Sequence, residues 1–376
     1  MAVLPRLSWS QALAWRMRRQ FLGADTASTP VAVAERLCGV QAQVPSAAEL
    51  GIRIRCPTAG PGCVDAALAT GALLKTWAMR GTLHLLEPTT GAAFLALVAA
   101  ARSWERPSWE RAFGATPAVI ERLREVVSEA LASGPKTRAE LADIVGAVPE
   151  LAHLADGLGS SWGTLLKPLA WQGDLCLGPS PGNGTTTFSR PDLLVPGWRG
   201  LPPVETAGPT AVAAYLGAHG PATPAAFGAW LSGGWFGLRD VRAWFEALGD
   251  RLAAVDVDGE RRFVLAEHVD EILATEPGDG IRLLPGFDQY VLAAGTGDER
   301  IVAAGRRRLV SRAGGWISPV VVRGGVVAGT WQLDRKRVVV RWFGEAGEPP
   351  RAAVEAEIDR LAVILKRDLE RSVAVV

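Results

Sequence analysis

The sequence predicts an α+β chain in which tandem winged helix-turn-helix units precede a small, barrel-like, β-rich domain. Three observations carry this expectation. Between residues 115 and 198, three helical segments are followed by two short β-type runs that flank a turn-rich stretch. The same order recurs after residue 201 and, more loosely, before residue 114. After Asp279 the helical periodicity gives way to Val, Ile, Trp and glycine turns. A chain of 376 residues exceeds one ordinary hydrophobic core, and the pattern divides it at 1–114, 115–200, 201–278 and 279–376.

The middle unit is the clearest. TPAVIERLREVVSEALASG is amphipathic at helical spacing and ends at Gly134. PKTRAELADIVG follows as a short helix opened by Thr137, with Glu140 three residues on as a capping box. SSWGTLLKPLAWQGDLCLG supplies a third helix with Ser160 or Ser161 near its start. DLCLGP and TTTFSR then pair across PSPGNG as a two-stranded wing. Three helices closed by a hairpin is the winged plan, and its third helix is the usual one for groove contact.

In the following unit, TAVAAYLGAHG, TPAAFGAWLSG and LRDVRAWFEALGD are helical, and RLAAVDVDGERRFVLA folds as a hairpin at Asp258-Gly259. In the first unit, SWSQALAWRMRRQFLG and PVAVAERLCG are helical, and DAALATGALLKTWAMRGTLHLLEP runs from helix into strand. The helix in TTGAAFLALVAAARSWERPSW links this unit to the next. In the last domain GGV and LDRK mark hairpin turns, and EPPRAAVEAEIDRLAVILKRDL closes the chain as an amphipathic helix.

Hydrophobic residues at 48% and charged residues at 21% fit a folded globular protein and argue against disorder. No basic cap with apolar run and cleavage site opens the chain, and no stretch of about 18 apolar residues is free of charge or turn residues. The expectation is a cytoplasmic protein without a membrane partner. Cys38, Cys56, Cys63 and Cys176 form no C-x-x-C pair, and the histidines complete no zinc spacing, so free thiols and no metal or organic cofactor are expected.

The net charge of +1 hides a pattern. From Arg300 to Phe343 the chain carries ten Lys or Arg against the single acid Asp334. Arg300, Arg306, Arg307 and Arg308 lead this run, and Arg335, Lys336 and Arg337 form a second string within it. Arg16, Arg18 and Arg19 make the first helix basic, while the segment before Arg300 is acidic. Local positive faces bind a phosphate backbone even on a near-neutral chain. Charge placed for solubility is the alternative for any one cluster.

Taken alone, Gln41 and Gln43 in LCGVQAQ are two ordinary glutamines after a helix. Read with WAMRGTLHLL, HGPATPAAFGAWL, LLPGFDQYVLAA and GGWISPVVVRGGVVAGTW, in that order and spacing, the chain resembles the winged-helix DNA glycosylases of the AlkZ type over nearly its whole length. That family is associated with self-resistance to azinomycin B. The resemblance implies tandem winged helices and a β domain around a concave DNA surface. It implies monofunctional removal of N7-alkylated purines from double-stranded DNA, with interstrand crosslinks unhooked in the azinomycin branch. It implies a Gln-apolar-Gln catalytic motif, matched by Gln41-Ala42-Gln43, whereas a broader bacterial branch has aspartate at the second position. It also implies a β-hairpin that approaches the lesion, whose counterpart is expected near Ala293 to Arg300. There VLAAGTGDER departs from the Leu-Gly and polar turn of many relatives. A monomer is expected, since one concave surface suffices.

The chemistry suits a neutral motif. An N7-alkylguanine carries positive charge and leaves without a strong acid, so the protein must stabilise an oxocarbenium-like sugar and place one water. Glutamine offers a carbonyl acceptor and an amide donor. Residues at i and i+2 point the same way if Val40 to Val44 is extended, and Pro45 biases Val44 away from helix. Gln43 is read as orienting the water, with Gln41 assisting it or contacting the strand. A lysine Schiff base is not suggested, because no lysine lies near the pair in sequence.

His84 between leucines reads as a core residue, and Arg80, Thr82 and His84 together as a group able to meet a phosphate or the active-site loop. Trp77 and Trp316 read as core. Asp288 is either a carboxylate near the lesion or a structural partner of a turn. The rival functions are a non-catalytic winged-helix DNA-binding protein and a protein that binds a planar genotoxin directly.

Overall fold

The computed structural model describes residues 4–159, 163–180 and 184–376. It is an α+β fold of many helices with several small sheets. In the middle of the chain, helix Pro117–Ala132 is capped by Thr116, and helix Arg138–Gly146 opens with the capping box between Thr137 and Glu140 that the sequence indicated. The segment after it is less regular than a single helix. A 3₁₀ turn Thr164–Leu166 leads into helix Lys167–Trp171, and Ser160 and Ser161 lie outside the described residues. Strands Cys176–Leu177 and Thr187–Ser189 pair antiparallel as expected, and Lys136–Thr137 adds a third strand beside Thr187–Ser189. Part of the PSPGNG turn, residues 181–183, lies outside the described residues.

Helices Val204–His219, Pro224–Ser232 and Leu238–Glu246 are followed by the hairpin Leu252–Val257/Glu260–Leu265, which turns at Asp258-Gly259. Strand Arg6–Leu7 joins this hairpin in parallel beside Leu252–Val257, a pairing across some 250 residues that no local signal marks. Helix Trp9–Arg19 follows that strand, and its Ala12 and Trp15 enter the hairpin's core with Val255, Val257 and Val264.

The expected linker helix is a central element. Pro88–Ala100 is apolar all round and buried along most of its length, as a helix packed on every side must be. It packs against Val204–His219, Pro224–Ser232 and Lys167–Trp171. The sequence reading missed helix Pro45–Arg55. Pro45 does keep Val44 extended (φ −116°, ψ 101°), but it then serves as the first helical residue, where its missing N–H costs nothing.

The last domain is no barrel. Its larger sheet has five strands among the described residues, in the order Ile281–Leu284, Val320–Arg323, Val326–Asp334, Arg337–Trp342, Glu370–Val375, and the first and last each have one neighbour, so the sheet is open. Nor does the chain close on a helix. Helix Arg351–Leu365 ends where Lys366 turns left-handed (φ 55°), and the chain returns as the parallel edge strand Glu370–Val375. Helix Arg351–Leu365 covers one face through Val354, Ile358 and Leu361. All four cysteines are free. Among the described residues no helix is long and apolar enough to cross a membrane.

Candidate active site and DNA-facing surfaces

A three-stranded antiparallel sheet brings the two ends of the glutamine motif's surroundings together. Its order is Val40–Gln41, Leu83–Leu86, Leu74–Trp77. Gly39, in a conformation suited to glycine (φ 100°), leads into the edge strand. Gln41 stands opposite His84, and His84 opposite Thr76, so the three share one face of the sheet. Gln41 is buried and has no hydrogen-bond partner among the described residues.

The ladder continues one step, with the Ala42 N–H donating to Leu83 O at 2.7 Å. There the pairing passes to a side chain, because the Leu83 N–H donates to Gln43 Oε1 at 3.3 Å. Gln43 is exposed, and the Leu83 N–H is the partner of its carbonyl. The carbonyl keeps one lone pair for a water, and the –NH₂ remains a donor. Helix Pro45–Arg55 begins two residues later and fixes the exit of the strand.

His84 is fully buried, as the core reading expected. Burial and the neighbouring Arg80 push its imidazole down to about 3, so it is neutral. Its Nδ1–H donates to the Thr82 carbonyl at 2.9 Å, which leaves Nε2 an acceptor without a partner. Thr82 Oγ1 donates to Met79 O. Thus Thr82 and His84 build the turn under Gln43 and do not present themselves to a ligand. Arg80 projects from the same turn toward helix Pro224–Ser232, where it donates to Trp230 O.

A lysine does lie near the motif in space. Lys75, on the strand Leu74–Trp77, lines a cavity of about 140 Å³ with Ala42, Pro45, Glu49 and Asp65. It faces the side of the sheet opposite Gln41, since Lys75 and Val40 both stand against Leu85.

The basic clusters divide. Arg16 is buried, and its guanidinium donates to the Gly220 and Pro221 carbonyls, so it is no free DNA contact. Arg19 donates to Gly217 O, and Arg18 pairs with Glu271 at 2.5 Å. The three therefore bind the first helix to the segment around 217–221 and to Glu271. Arg300 is also committed internally, to Glu260 and Asp298, over the Trp9 ring. Arg306 pairs with Glu345, and Lys336 and Arg337 share Glu370. Arg307, Arg308 and Arg335 are exposed and form no ion pair among the described residues.

Residues Ala293 to Arg300 do not form a hairpin. Helix Gln289–Ala294 ends there, and turns follow. The small hairpin of this region is Ser311–Arg312/Trp316–Ile317, with Ala313, Gly314 and Gly315 at its tip. Gly314 and Gly315 both have positive φ (71° and 74°), the reason two glycines occur together. Trp316 is 45% exposed, contrary to a core reading, and stands edge-on to Phe287. Arg307 and Arg308 lie on the short helix just before it. The signal was present, since a Gly-Gly pair between β-type runs marks a hairpin.

Asp288 is the structural partner, not an exposed carboxylate. It is buried and takes both Nη1 and Nη2 of Arg55, at 2.8 and 2.7 Å. Arg55 also donates to Gln20 O and Gly51 O. This knot joins the helix that follows the glutamine motif to the helix that precedes the Ser311–Ile317 region.

The structure thus offers the exposed Gln43 at a sheet edge and the tryptophan-bearing hairpin preceded by Arg307 and Arg308. The chain belongs to the AlkZ-like DNA glycosylases, whose family model matches residues 34–364. It is 45% identical over 357 residues to the interstrand DNA cross-link repair glycosylase of Streptomyces sahachiroi, spanning 95% of this chain and 96% of that protein. Its structure resembles that of Streptomyces sahachiroi DNA glycosylase AlkZ with a TM-score of 0.94 at 44% identity, covering 98% of this chain and 100% of the other.

Proposed function

We propose that the protein hydrolyses the N-glycosidic bond of N7-alkylated purines in duplex DNA, including bulky adducts and interstrand crosslinks left by a genotoxic natural product. The observation that carries this is the exposed Gln43 amide, anchored through its carbonyl by the Leu83 N–H. Gln43 accepts a hydrogen bond from one water and directs its oxygen at C1′. As the C1′–N9 bond breaks, its electron pair neutralises the cationic purine, and the water loses a proton to solvent. Gln41, two residues earlier and unpaired, steadies that water or the strand. A neutral pair suits a leaving group that is already charged, and it gives little help with a normal base.

The DNA is held by winged-helix units. Helices 117–132, 138–146 and 167–171 closed by their three-stranded sheet support one such unit, and helices 204–219, 224–232 and 238–246 with their hairpin support another. The hairpin Ser311–Ile317 approaches the lesion, with Trp316 on its second strand just past the tip and Arg307 and Arg308 toward the backbone. The protein acts as a monomer in the bacterial cytoplasm.

The test uses three duplexes, bearing N7-methylguanine, a bulky azinomycin-type adduct or an interstrand crosslink. Free base is quantified by chromatography and unhooking by denaturing gel. Release from at least the bulky substrate is expected. Tight binding with no release from any of the three would leave a non-catalytic DNA-binding protein.

A further inference from the structure

On the face of the sheet that carries Gln41, one acceptor is sealed from water with no donor to serve it. The Nδ1 of His84 lies 2.9 Å from the Thr82 carbonyl, which can only accept, so the ring proton sits on Nδ1. The imidazole is neutral, because burial and Arg80 hold it down at about 3. Nε2 is therefore a bare lone pair, and it is buried without a partner among the described residues. A buried acceptor that makes no hydrogen bond destabilises the fold, and solvent does not relieve this one.

Two side chains flank His84 in register, Gln41 on one neighbouring strand and Thr76 on the other. Thr76 is already engaged, since its hydroxyl donates to Leu175 O at 3.2 Å. Gln41 makes no hydrogen bond among the described residues, although it is only 6% exposed. The pairing also brings it close. The Ala42 N–H donates to Leu83 O, so 42 and 83 form a hydrogen-bonded pair, and 41 and 84 the adjoining non-hydrogen-bonded one. Side chains facing each other across such a pair have β-carbons about 4.5–5.5 Å apart, within reach of a glutamine amide. An unserved acceptor thus faces an unpaired donor. The rival donor is Arg80, whose Nη2 is also unpaired, but its Nη1 is held on Trp230 O.

The two ends of a carboxamide are unlike. A histidine with its proton on Nδ1 attracts the –NH₂ end to Nε2 and repels the carbonyl lone pairs, whereas an Nε2–H would select the opposite orientation. The Thr82 carbonyl, by fixing the tautomer, thereby fixes which end of Gln41 is left for a ligand.

We infer that His84 is a positioning residue: in the DNA-bound protein its Nε2 accepts an N–H of Gln41, and this turns the Gln41 carbonyl oxygen toward the reacting water. That Gln41 meets this water rests on the proposed function, whereas the contact between Gln41 and His84 does not.

Asparagine and glutamine divide the functions of the ring. His84→Asn keeps a donor for the Thr82 carbonyl and removes the acceptor at the Nε2 position, and His84→Gln does the reverse. Single-turnover release of N7-methylguanine should slow by about 10²-fold in His84→Asn, the effect of a misplaced group at a reacting centre, and stay near wild type in His84→Gln. Added to Gln41→Leu, His84→Asn should slow release no further, since the two act as a unit. The reverse pattern, slow release in His84→Gln alone, would assign His84 to the turn. Equal losses in both variants, or none in either, would also overturn the inference. A second measurement needs no chemistry and no variant of His84 that folds poorly. In ¹⁵N spectra of the four histidines, the His84 Nε2 resonance should shift when undamaged duplex binds the wild type, and not when it binds Gln41→Leu. A shift that persists in Gln41→Leu would give Nε2 to another donor, Arg80 first, and no shift in the wild type would leave it unserved. Either result overturns the inference. The shift in a protein that releases no base would keep the contact and sink the glycosylase reading. Base release without the shift would do the reverse.

Discussion

Replacing Asp288 by alanine should unsettle the joint between the glutamine motif and the β domain more than any exposed change. The Arg55 and Asp288 side chains are 0% and 2% exposed, and their contact is bidentate. Asp288→Ala strands a buried guanidinium, a loss of about 3–5 kcal/mol for one member of a buried pair. Asp288 also caps helix Gln289–Ala294 by accepting the Tyr290 N–H at 2.9 Å, which adds about 1 kcal/mol. Taking about 4 kcal/mol and a urea dependence of about 3 kcal/mol per molar, the unfolding midpoint falls by about 1.3 M. Tryptophan fluorescence and far-ultraviolet circular dichroism, recorded on the same samples, measure it. The double variant Arg55→Met/Asp288→Leu removes both charges and should recover most of the loss. A midpoint shift under about 0.3 M in Asp288→Ala, less than about 1 kcal/mol, would refute this reasoning. So would a double variant less stable than the single one.

Three further outcomes follow from the same geometry. Gly39→Ala forces a β-carbon to 2.6 Å from Leu86 Cδ2 at φ 100°, so it should cost about 1–3 kcal/mol and slow base release by shifting Val40–Gln41, read from the thermal midpoint and single-turnover assays. His84 and His219 are both held down at about 3 by burial, against 6.5 for the free group. Below pH 6.5 the unfolded chain binds protons that the folded chain refuses. Their contribution is therefore complete above 6.5 and lost as pH falls toward 3, at about 1.4 kcal/mol per pH unit for each. Replacing both by glutamine should flatten the midpoint between pH 6.5 and 5. Trp316→Ala should leave the thermal midpoint within a degree or two, because the ring is 45% exposed, and should impair release of bulky adducts more than release of N7-methylguanine.

Local signals made much of this fold legible. The Thr137–Glu140 capping box, the Asp258-Gly259 hairpin and the extended Val44 before Pro45 are written in neighbouring residues and appear where expected, whereas the strand expected over Val40 to Val44 stops at Gln41 and a bend follows. Long-range choices were not legible. Nothing near Arg6 states that it will pair with Asp256, and nothing in WRMRRQ shows that Arg16 will be spent on the carbonyls of Gly220 and Pro221. A run of ten cations in the sequence looks like one basic face, yet Arg300, Arg306 and Arg337 each meet an acid from a distant segment. The open sheet was hidden for a related reason: alternating valines specify strands, while closure depends on which strands become edges. Within the site, the Gln41 and Gln43 pair was readable as a motif. The Leu83 N–H that orients Gln43 emerges only from packing.

The most direct measurement is the single-turnover release of N7-methylguanine by Gln43→Ala at saturating protein, with Kd for the same duplex determined alongside. The account predicts release slowed by about 10²–10³-fold, the usual effect of removing one well-placed polar group from a reacting centre, with Kd little changed. Release at nearly the wild-type rate would contradict it, because the water would then be placed by something other than Gln43.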